Sequence, residues 1–372
     1  MKDMYKKTKG ITLIALVVTI VVLLILATVT INMTMNSNGI FGRAKNAADT
    51  YKKAAANETA ALNDISTQID ASVSETPKTE TTVANFKGGE IISSTDNTAL
   101  KDENGNTVTI PAGFKIASDS ATAQEDGIVI EDKDGNQYVW IPVSDIANYK
   151  RTDYGHQSVN YSDYSEEMPV DEQTSVNTYH GYYIGRYEAG DKEYTANKVI
   201  KTSQVTTDTV TIKKGQAPYN CVTRDQANTL ATGMKTTEGY KATTKLCSSY
   251  AWDTAIKFIQ NTVANYGTTS PQGNYNNTEF TYTDITGATQ TKASGSYVLI
   301  PTGETTPVCN IYDMGGNEYE WTTEAYSVSG VACVHCGGFY GDYYSSYPAG
   351  YRNYYTTTGY VVGIGFRTTL YM

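Results

Sequence analysis

Residues 310–324 read N-I-Y-D-M-G-G-N-E-Y-E-W-T-T-E, and the chain closes on G-I-G-F-R-T-T-L-Y-M at 363–372. The paired glycines permit tight turns, and Trp321 and Phe366 read as core residues of a loop-rich α+β domain. Between the two motifs, residues 339–360 read F-Y-G-D-Y-Y-S-S-Y-P-A-G-Y-R-N-Y-Y-T-T-T-G-Y, with eight tyrosines and no Lys, Glu, Gln, Met or Trp. Tyrosine combines a large flat ring, a hydroxyl tip and few rotatable bonds, which is the chemistry of a recognition surface. The other reading is that these rings pack a solvent-facing sheet. As a recognition surface, the expected contacts are Phe339, Tyr340, Asp342, Tyr343, Tyr344, Ser345, Tyr347, Tyr351, Asn353, Tyr354, Tyr355 and Tyr360.

Working back from these motifs, residues from 86 onward alternate short β-like runs with turns. T-V-T-I-P-A-G-F-K-I, G-I-V-I-E-D-K-D-G-N-Q-Y-V-W-I-P-V and G-Y-Y-I-G-R-Y-E-A predict strands, and the D-G-N step inside the second predicts a hairpin. Two helices are predicted between them. One begins where Asp225 and Gln226 follow Thr223 as they would a capping residue. The other carries Trp252, Ile256, Ile259 and Val263 along one face. Residues 265–295 are polar and glycine-containing and read as a long loop.

Taken together, V-W-I-P-V, G-Y-Y-I-G-R-Y-E-A, K-L-C-S-S-Y-A-W-D-T-A, I-Y-D-M-G-G-N-E-Y-E-W, C-G-G-F and the terminal G-F-R occur in one order from about 105 to 372. This series resembles the formylglycine-generating enzyme family, the sulfatase-modifying-factor domain, whose fold is a variant of the C-type lectin fold. The resemblance implies that oxidase members hold copper through two cysteines just after the paired glycines; thiolates suit copper(I) because both are soft. Here Gly337-Gly338 is followed by Phe339, Tyr340, Gly341, Asp342, Tyr343 and Tyr344, and no cysteine follows Cys336. The oxidase ligands are therefore missing, and no enzymatic activity and no cofactor are expected. In some members the segment before G-F-R is a ligand surface diversified by a retroelement that mutates adenines. Codons of that type cannot yield Lys, Glu, Gln, Met or Trp, the five residues missing from 339–360. Some members also hold calcium near the G-G-N-E-Y-E-W loop, where Asn317 and Glu320 would supply oxygen ligands; the competing reading is that they tie down a turn.

At the other end of the chain, Lys2, Lys6, Lys7 and Lys9 precede a stretch from Gly10 to Gly42 without a charged residue. I-T-L-I-A-L-V-V-T-I-V-V-L-L-I-L-A-T-V-T-I is long enough to cross a bilayer core, and the lysines before it place the N-terminus in the cytoplasm. K-G-I-T-L-I-A-L-V-V resembles the leader of type IV pilins and pseudopilins. That implies cleavage by a prepilin peptidase after Gly10, leaving Ile11 first, and assembly beside other pilin-like subunits. The family's glutamate at the fifth mature position is replaced by Ala15, which fits a minor or tip subunit better than a bulk one. An uncleaved single-span anchor is the alternative. Removing residues 1–10 takes away four Lys and one Asp, so the mature charge would be −10 − 3 = −13. Beyond Gly42 an alanine-rich run with apolar Ala48, Tyr51, Ala55, Leu62, Ile65 and Ile69 predicts a helical stalk. Asn38-Gly39 is a place for a kink, and the Thr/Ser/Glu-rich run that follows Ile69 is a flexible linker.

Charged residues are 18% of the chain and the net charge is −10, a poor balance for nucleic acid. All five cysteines fall in the second half. Cys333-V-H-Cys336 has no βαβ context for redox work and only His335 nearby as a further metal ligand. Structural disulfides, with Cys221–Cys247 and Cys309–Cys333 as the pairings, are expected instead, and each of the three histidines reads as a surface residue. The organisation expected is a leader over 1–10, a membrane helix over 11–33, a stalk over 34–72, a linker over 73–85 and the lectin-like domain over 86–372. The expected role is a non-enzymatic bacterial membrane protein, single-pass, with its C-terminal domain outside the cell and binding a protein or glycan. The competing class is a structural pilus subunit with a decorative domain.

Overall fold

A computed structural model describes residues 13–35, 39–73, 81–193, 209–234, 241–327, 332–359 and 361–372. The chain divides into two compact units, Met1–Thr79 and Glu80–Met372.

The first unit holds two helices, Leu13–Met35 and Ile40–Val73. Residues Leu13–Asn32 are long and apolar enough to cross a membrane. The threonines inside this run satisfy their own hydroxyls: Thr19 donates to the Ala15 carbonyl at 2.7 Å and Thr28 to that of Leu24 at 2.6 Å. Internal satisfaction of this kind is what a polar group in a lipid-spanning helix requires. Of the place expected to kink, Asn38-Gly39, Asn38 lies outside the described residues, as do Gly10 and Ile11, and Gly39 immediately precedes the second helix. In the second helix Tyr51, Leu62 and Ile65 are exposed.

The second unit is built on two sheets. Six antiparallel strands run in the order Thr243–Leu246, Thr368–Tyr371, Gly181–Gly185, Gln137–Pro142, Val129–Asp132 and Phe114–Ile116. Both faces of this sheet are covered: Tyr138, Trp140 and Tyr183 enter one core cluster, Val139, Ile141, Tyr182 and Ile184 another. That is why V-W-I and Y-Y-I read as continuous apolar runs and not as alternating ones. The expected hairpin turns at Gly135, φ +84°, between Val129–Asp132 and Gln137–Pro142. The helix Val170–Tyr179, which has no apolar periodicity to announce it, and the helix Ser249–Ile259 pack into the second cluster. Helix Arg224–Thr232 packs into the first, and its Thr223–Gln226 capping box forms as expected. Val263 lies beyond the end of Ser249–Ile259.

The second sheet runs Arg352–Thr356, Ala332–Cys336, Tyr319–Tyr326 and Ile364–Phe366, the last pair parallel, with Tyr164–Ser165 joining the far end of Tyr319–Tyr326. Trp321 and Phe366 are fully buried. Arg367 is where the chain passes from this sheet to the first. The stretch read as a loop over 265–295 contains a hairpin, Phe280–Thr283 with Thr289–Lys292, whose polar strands are largely exposed.

The expected disulfides do not form. Cys247, Cys309, Cys333 and Cys336 carry free thiols. Cys333 and Cys336 are three apart on one strand, so pleating sends them to opposite faces; Cys333 enters the first core cluster and Cys336 the second. His335, between them, is buried and not on the surface.

Candidate functional site

The site begins with the turn that precedes Tyr319–Tyr326. Cys309, Asn310, Asp313 and Asn317 all have positive φ, and Gly316 has φ +79° with Asn274 packed where a side chain would stand. Asn and Asp tolerate this conformation better than other side chains. Asn317 is the knot. Its amide nitrogen donates to Glu188 at 2.6 Å and to the Ile300 carbonyl at 3.2 Å. Its side-chain oxygen accepts from Asn274 and the Ile300 amide. Its backbone carbonyl accepts from the Tyr340 amide at 3.1 Å, so the motif turn holds the start of the tyrosine-rich loop.

Glu320 is equally committed. Both its oxygens pair with Arg367, at 2.7 and 3.0 Å, and Arg367 further donates to the carbonyls of Gly185 and Tyr312. The side chains of Asn317 and Glu320 thus spend their oxygens on the protein, the geometry of a tied turn. A second buried network lies under the other end of the loop. Arg352 donates to Glu324 at 3.0 Å and to Asp253 at 2.5 Å, and Arg151 also pairs with Glu324.

From this framework the loop 337–351 is held at several points. Gly338 is approached so closely by the Tyr347 carbonyl that a Cβ would lie 2.3 Å from it, and the same carbonyl accepts the Tyr275 hydroxyl at 2.9 Å. Around Tyr319 the rings converge. Phe339 stacks on it at 5.2 Å, Tyr351 lies at 6.2 Å and His335 at 4.5 Å. Tyr340 stands edge-on to Phe339 at 4.9 Å and Tyr347 edge-on to Tyr351 at 4.7 Å. Asp342 is 9% exposed; its Oδ2 accepts from the Tyr319 hydroxyl at 2.5 Å and the Phe339 amide at 3.2 Å. Burial lifts its carboxyl to about 6, with those two donors restraining the rise. Burial also pushes the His335 imidazole down to about 3, so it is neutral at physiological pH, and its Nδ1 has no partner among the described residues.

The expected contact residues do not form one face. Tyr343 (52% exposed) and Ser345 stand out from the loop, while Tyr344 is half-buried, edge-on to Tyr275. On strand Arg352–Thr356, pleating separates neighbours. Asn353 and Tyr355 lie opposite His335 and Cys333 in the register; Tyr354 lies opposite Val334 on the other face. There Tyr354 stacks on Tyr326 at 4.1 Å, nearly parallel, with Tyr164 beyond it. Asn353 accepts from the Ser158 hydroxyl, and Tyr355 is exposed. Tyr360 lies outside the described residues. The loop therefore brings together Phe339, Tyr340, Asp342, Tyr343, Tyr347 and Tyr351, and leaves Tyr354 behind.

Two residues join this patch that the sequence reading did not assign to it. Tyr319 was legible: two positions before Trp321 on a strand, it shares that residue's face. Tyr297 is 68% exposed and sits beside Gly341, where a Cβ would lie 3.1 Å from its ring; nothing in its local sequence signals this. The thiol that precedes the loop in sequence, Cys336, points into the second core cluster.

Comparison with solved structures finds similarity to CarF, at 17% identity over 52% of this chain and 87% of that chain, TM-score 0.36. PvdO from Pseudomonas aeruginosa is similar at 14% identity over 66% of this chain and 98% of that one, TM-score 0.40. Treponema denticola variable protein 1 is similar at 15% identity over 52% and 85%, TM-score 0.33. A comparison with curated proteins finds no match. The sequence model of the sulfatase-modifying factor enzyme 1-like domain matches residues 70–371, most of the chain, and the chain belongs to that family.

Proposed function

We propose that this chain is a non-enzymatic, membrane-anchored bacterial surface protein that presents the 339–351 loop for binding an extracellular partner. The observation that carries the reading is the contrast within the loop. A base of interlocked rings and a buried carboxylate is fixed to the fold, while Tyr343 and the neighbouring Tyr297 are left largely exposed. Exposed aromatics on a rigid base lose little freedom on binding and offer large contact area. The absence of cysteine after Gly338 removes the thiols that copper chemistry in this family is expected to use. The N-terminal apolar helix supplies the anchor, with the domain outside the cell.

The test is binding of the full-length chain, in detergent, to arrays of glycans and extracellular proteins. Binding that Tyr343→Ala removes supports the reading; a partner retained at full strength by both Tyr343→Ala and Tyr297→Ala overturns it. Oxygen consumption with copper and a cysteine-containing peptide would restore the oxidase.

The exposed apolar side chains of the second helix, Tyr51, Leu62 and Ile65, favour a related reading, in which the stalk packs against other pilin-like subunits as a minor component of a fibre. Prepilin-peptidase cleavage after Gly10 belongs to that reading. Mass spectrometry of the membrane-extracted protein tests it: a new N-terminus at Ile11 supports it, and an intact leader overturns it.

A further inference from the structure

Resting on the recognition reading above, we infer that the 339–351 loop selects a primary ammonium group, a lysine side chain displayed by a protein partner, through Oδ1 of Asp342 and the rings beside it.

Charge sets the class of ligand. Within 339–360 the only ionisable acid or guanidinium groups are Asp342 and Arg352. Arg352 is buried against Glu324 and Asp253 and is not available at the surface. Among the described residues no Lys, Arg or His forms an ion pair with Asp342. A largely buried carboxylate without a counter-charge favours an incoming cation over a neutral or anionic group. Burial raises its carboxyl to about 6, so at neutral pH it is predominantly ionised and receptive.

Geometry narrows the cation. Oδ2 is spent on the Tyr319 hydroxyl and the Phe339 amide. Among the described residues Oδ1 takes no hydrogen bond, and it is not one of the buried unpartnered atoms, so it meets solvent. Only one of the two carboxylate oxygens is therefore open to a ligand. A guanidinium loses its advantage here, the two-pronged pair that spans both carboxylate oxygens, whereas an ammonium needs only one oxygen. A quaternary ammonium has no N–H to give. It would also need an open box of rings, and Tyr319 and Phe339 are stacked on each other. Their flanks, with Tyr340, remain suited to lining a lysine stem and adding cation–π attraction.

The shape of the surface indicates a macromolecular source. Two cavities in the domain lie elsewhere, one lined by Asp134, Lys213 and Met234, the other by Tyr282 and Leu299. Neither includes a residue of the loop. Beside Asp342, Tyr343 and Tyr297 are instead largely open to solvent, a surface suited to a ligand with more contact area than a small amine. A lysine carried by a protein would bring further surface against Tyr343 and Tyr297.

The experiment is saturation-transfer NMR with the full-length chain in detergent at physiological salt. The probes are Nα-acetyl-lysine methylamide, its Nε-acetylated form, the arginine analogue and choline. The lysine probe is expected to bind about tenfold or more tighter than the other three, a difference of about 1.4 kcal/mol, and Asp342→Asn to abolish that preference. Equal binding of the Nε-acetylated probe, or of choline, overturns the inference, as does a lysine preference that Asp342→Asn leaves intact. The probe series on the unmodified chain decides the matter even if the variant misfolds. Failure here is separable from failure of the recognition reading. A protein partner from the array that still binds after its lysines are acetylated, yet is lost with Tyr343→Ala, leaves a recognition surface without lysine selectivity.

Discussion

At the scale of single residues, the strongest statements concern charges that burial makes expensive. Arg367 is fully buried and is the counter-charge to Glu320 in a pocket that also holds Glu188, Glu318 and Asp313. Burial and mutual repulsion hold the carboxyls of Glu188 and Glu318 well above the usual range. Removing one partner of a buried pair strands the other, at a cost of about 3–5 kcal/mol. Arg367→Met should therefore lower unfolding stability by about that amount in urea titrations; a loss below about 1 kcal/mol would show that Glu320 simply takes up a proton. The same burial has a pH consequence. Glu166 is lifted from its ordinary 4.5 to about 7 by burial, restrained by Ser249 and Thr323, and burial brings Asp253 and Asp342 to about 6. A carboxyl whose folded value is raised binds its proton more tightly in the folded state. Its stabilising contribution is complete below the unfolded value and is lost as pH rises through the folded one. His335 acts oppositely, but its effect grows mainly below about 6.5, where more than half of the unfolded imidazole is charged, and above that it is smaller than the Glu166 effect. Melting temperature should therefore rise as pH falls from 8 to 6.5, and Glu166→Gln should flatten that rise.

At the scale of elements, strand Arg352–Thr356 decides which tyrosines can act together. Tyr354 and Tyr355 are neighbours in sequence and strangers in space, and the consequence is a crossed pair of outcomes. Tyr354→Ala loses the near-parallel stack on Tyr326 and should cost about 1 kcal/mol of stability, with partner binding unchanged. Tyr343→Ala, at an exposed loop position, should stay within about 0.5 kcal/mol of the parent while binding is lost. Denaturant titration and array binding on both variants would check the crossing; binding lost in both would restore a single tyrosine face. How far such elements could be read in advance depended on local signal. The strands around Trp140 and Tyr183, the capping box at Thr223 and the helix under Trp252 all carried periodicity or end signals of their own. The helix Val170–Tyr179 has only Val176 as a buried apolar side chain, so no stripe announced it. In the hairpin at 280–292 only Phe280 and Tyr282 alternate with threonines, and its second strand, T-Q-T-K, has no apolar residue, so the run is too short and too polar to stand out from the loop around it. The convergence of Tyr297, Tyr319 and Asp342 was illegible because it joins segments more than twenty residues apart through a turn that Asn317 ties.

At the scale of the whole molecule, each of the two units carries its own reason to exist. Residues Glu80–Met372 contain both core clusters, so the domain does not need the N-terminal helices to bury its apolar surface. The first unit, by contrast, leaves Leu13, Ile14, Leu23 and Leu24 exposed to a degree that water does not tolerate over a contiguous stretch. A bilayer would remove that cost, at about 25 cal/mol per Å² of apolar area. A fragment beginning at residue 80 should therefore be soluble, unfold in one cooperative transition, and melt within about 2–4 °C of the same domain in the detergent-solubilised full chain, the range that about 1 kcal/mol produces at this size. It should also keep the lysine-probe preference, while the full chain stays with membranes through a carbonate wash. A fragment that aggregates or melts far earlier would mean that the domain's stability depends on residues before 80.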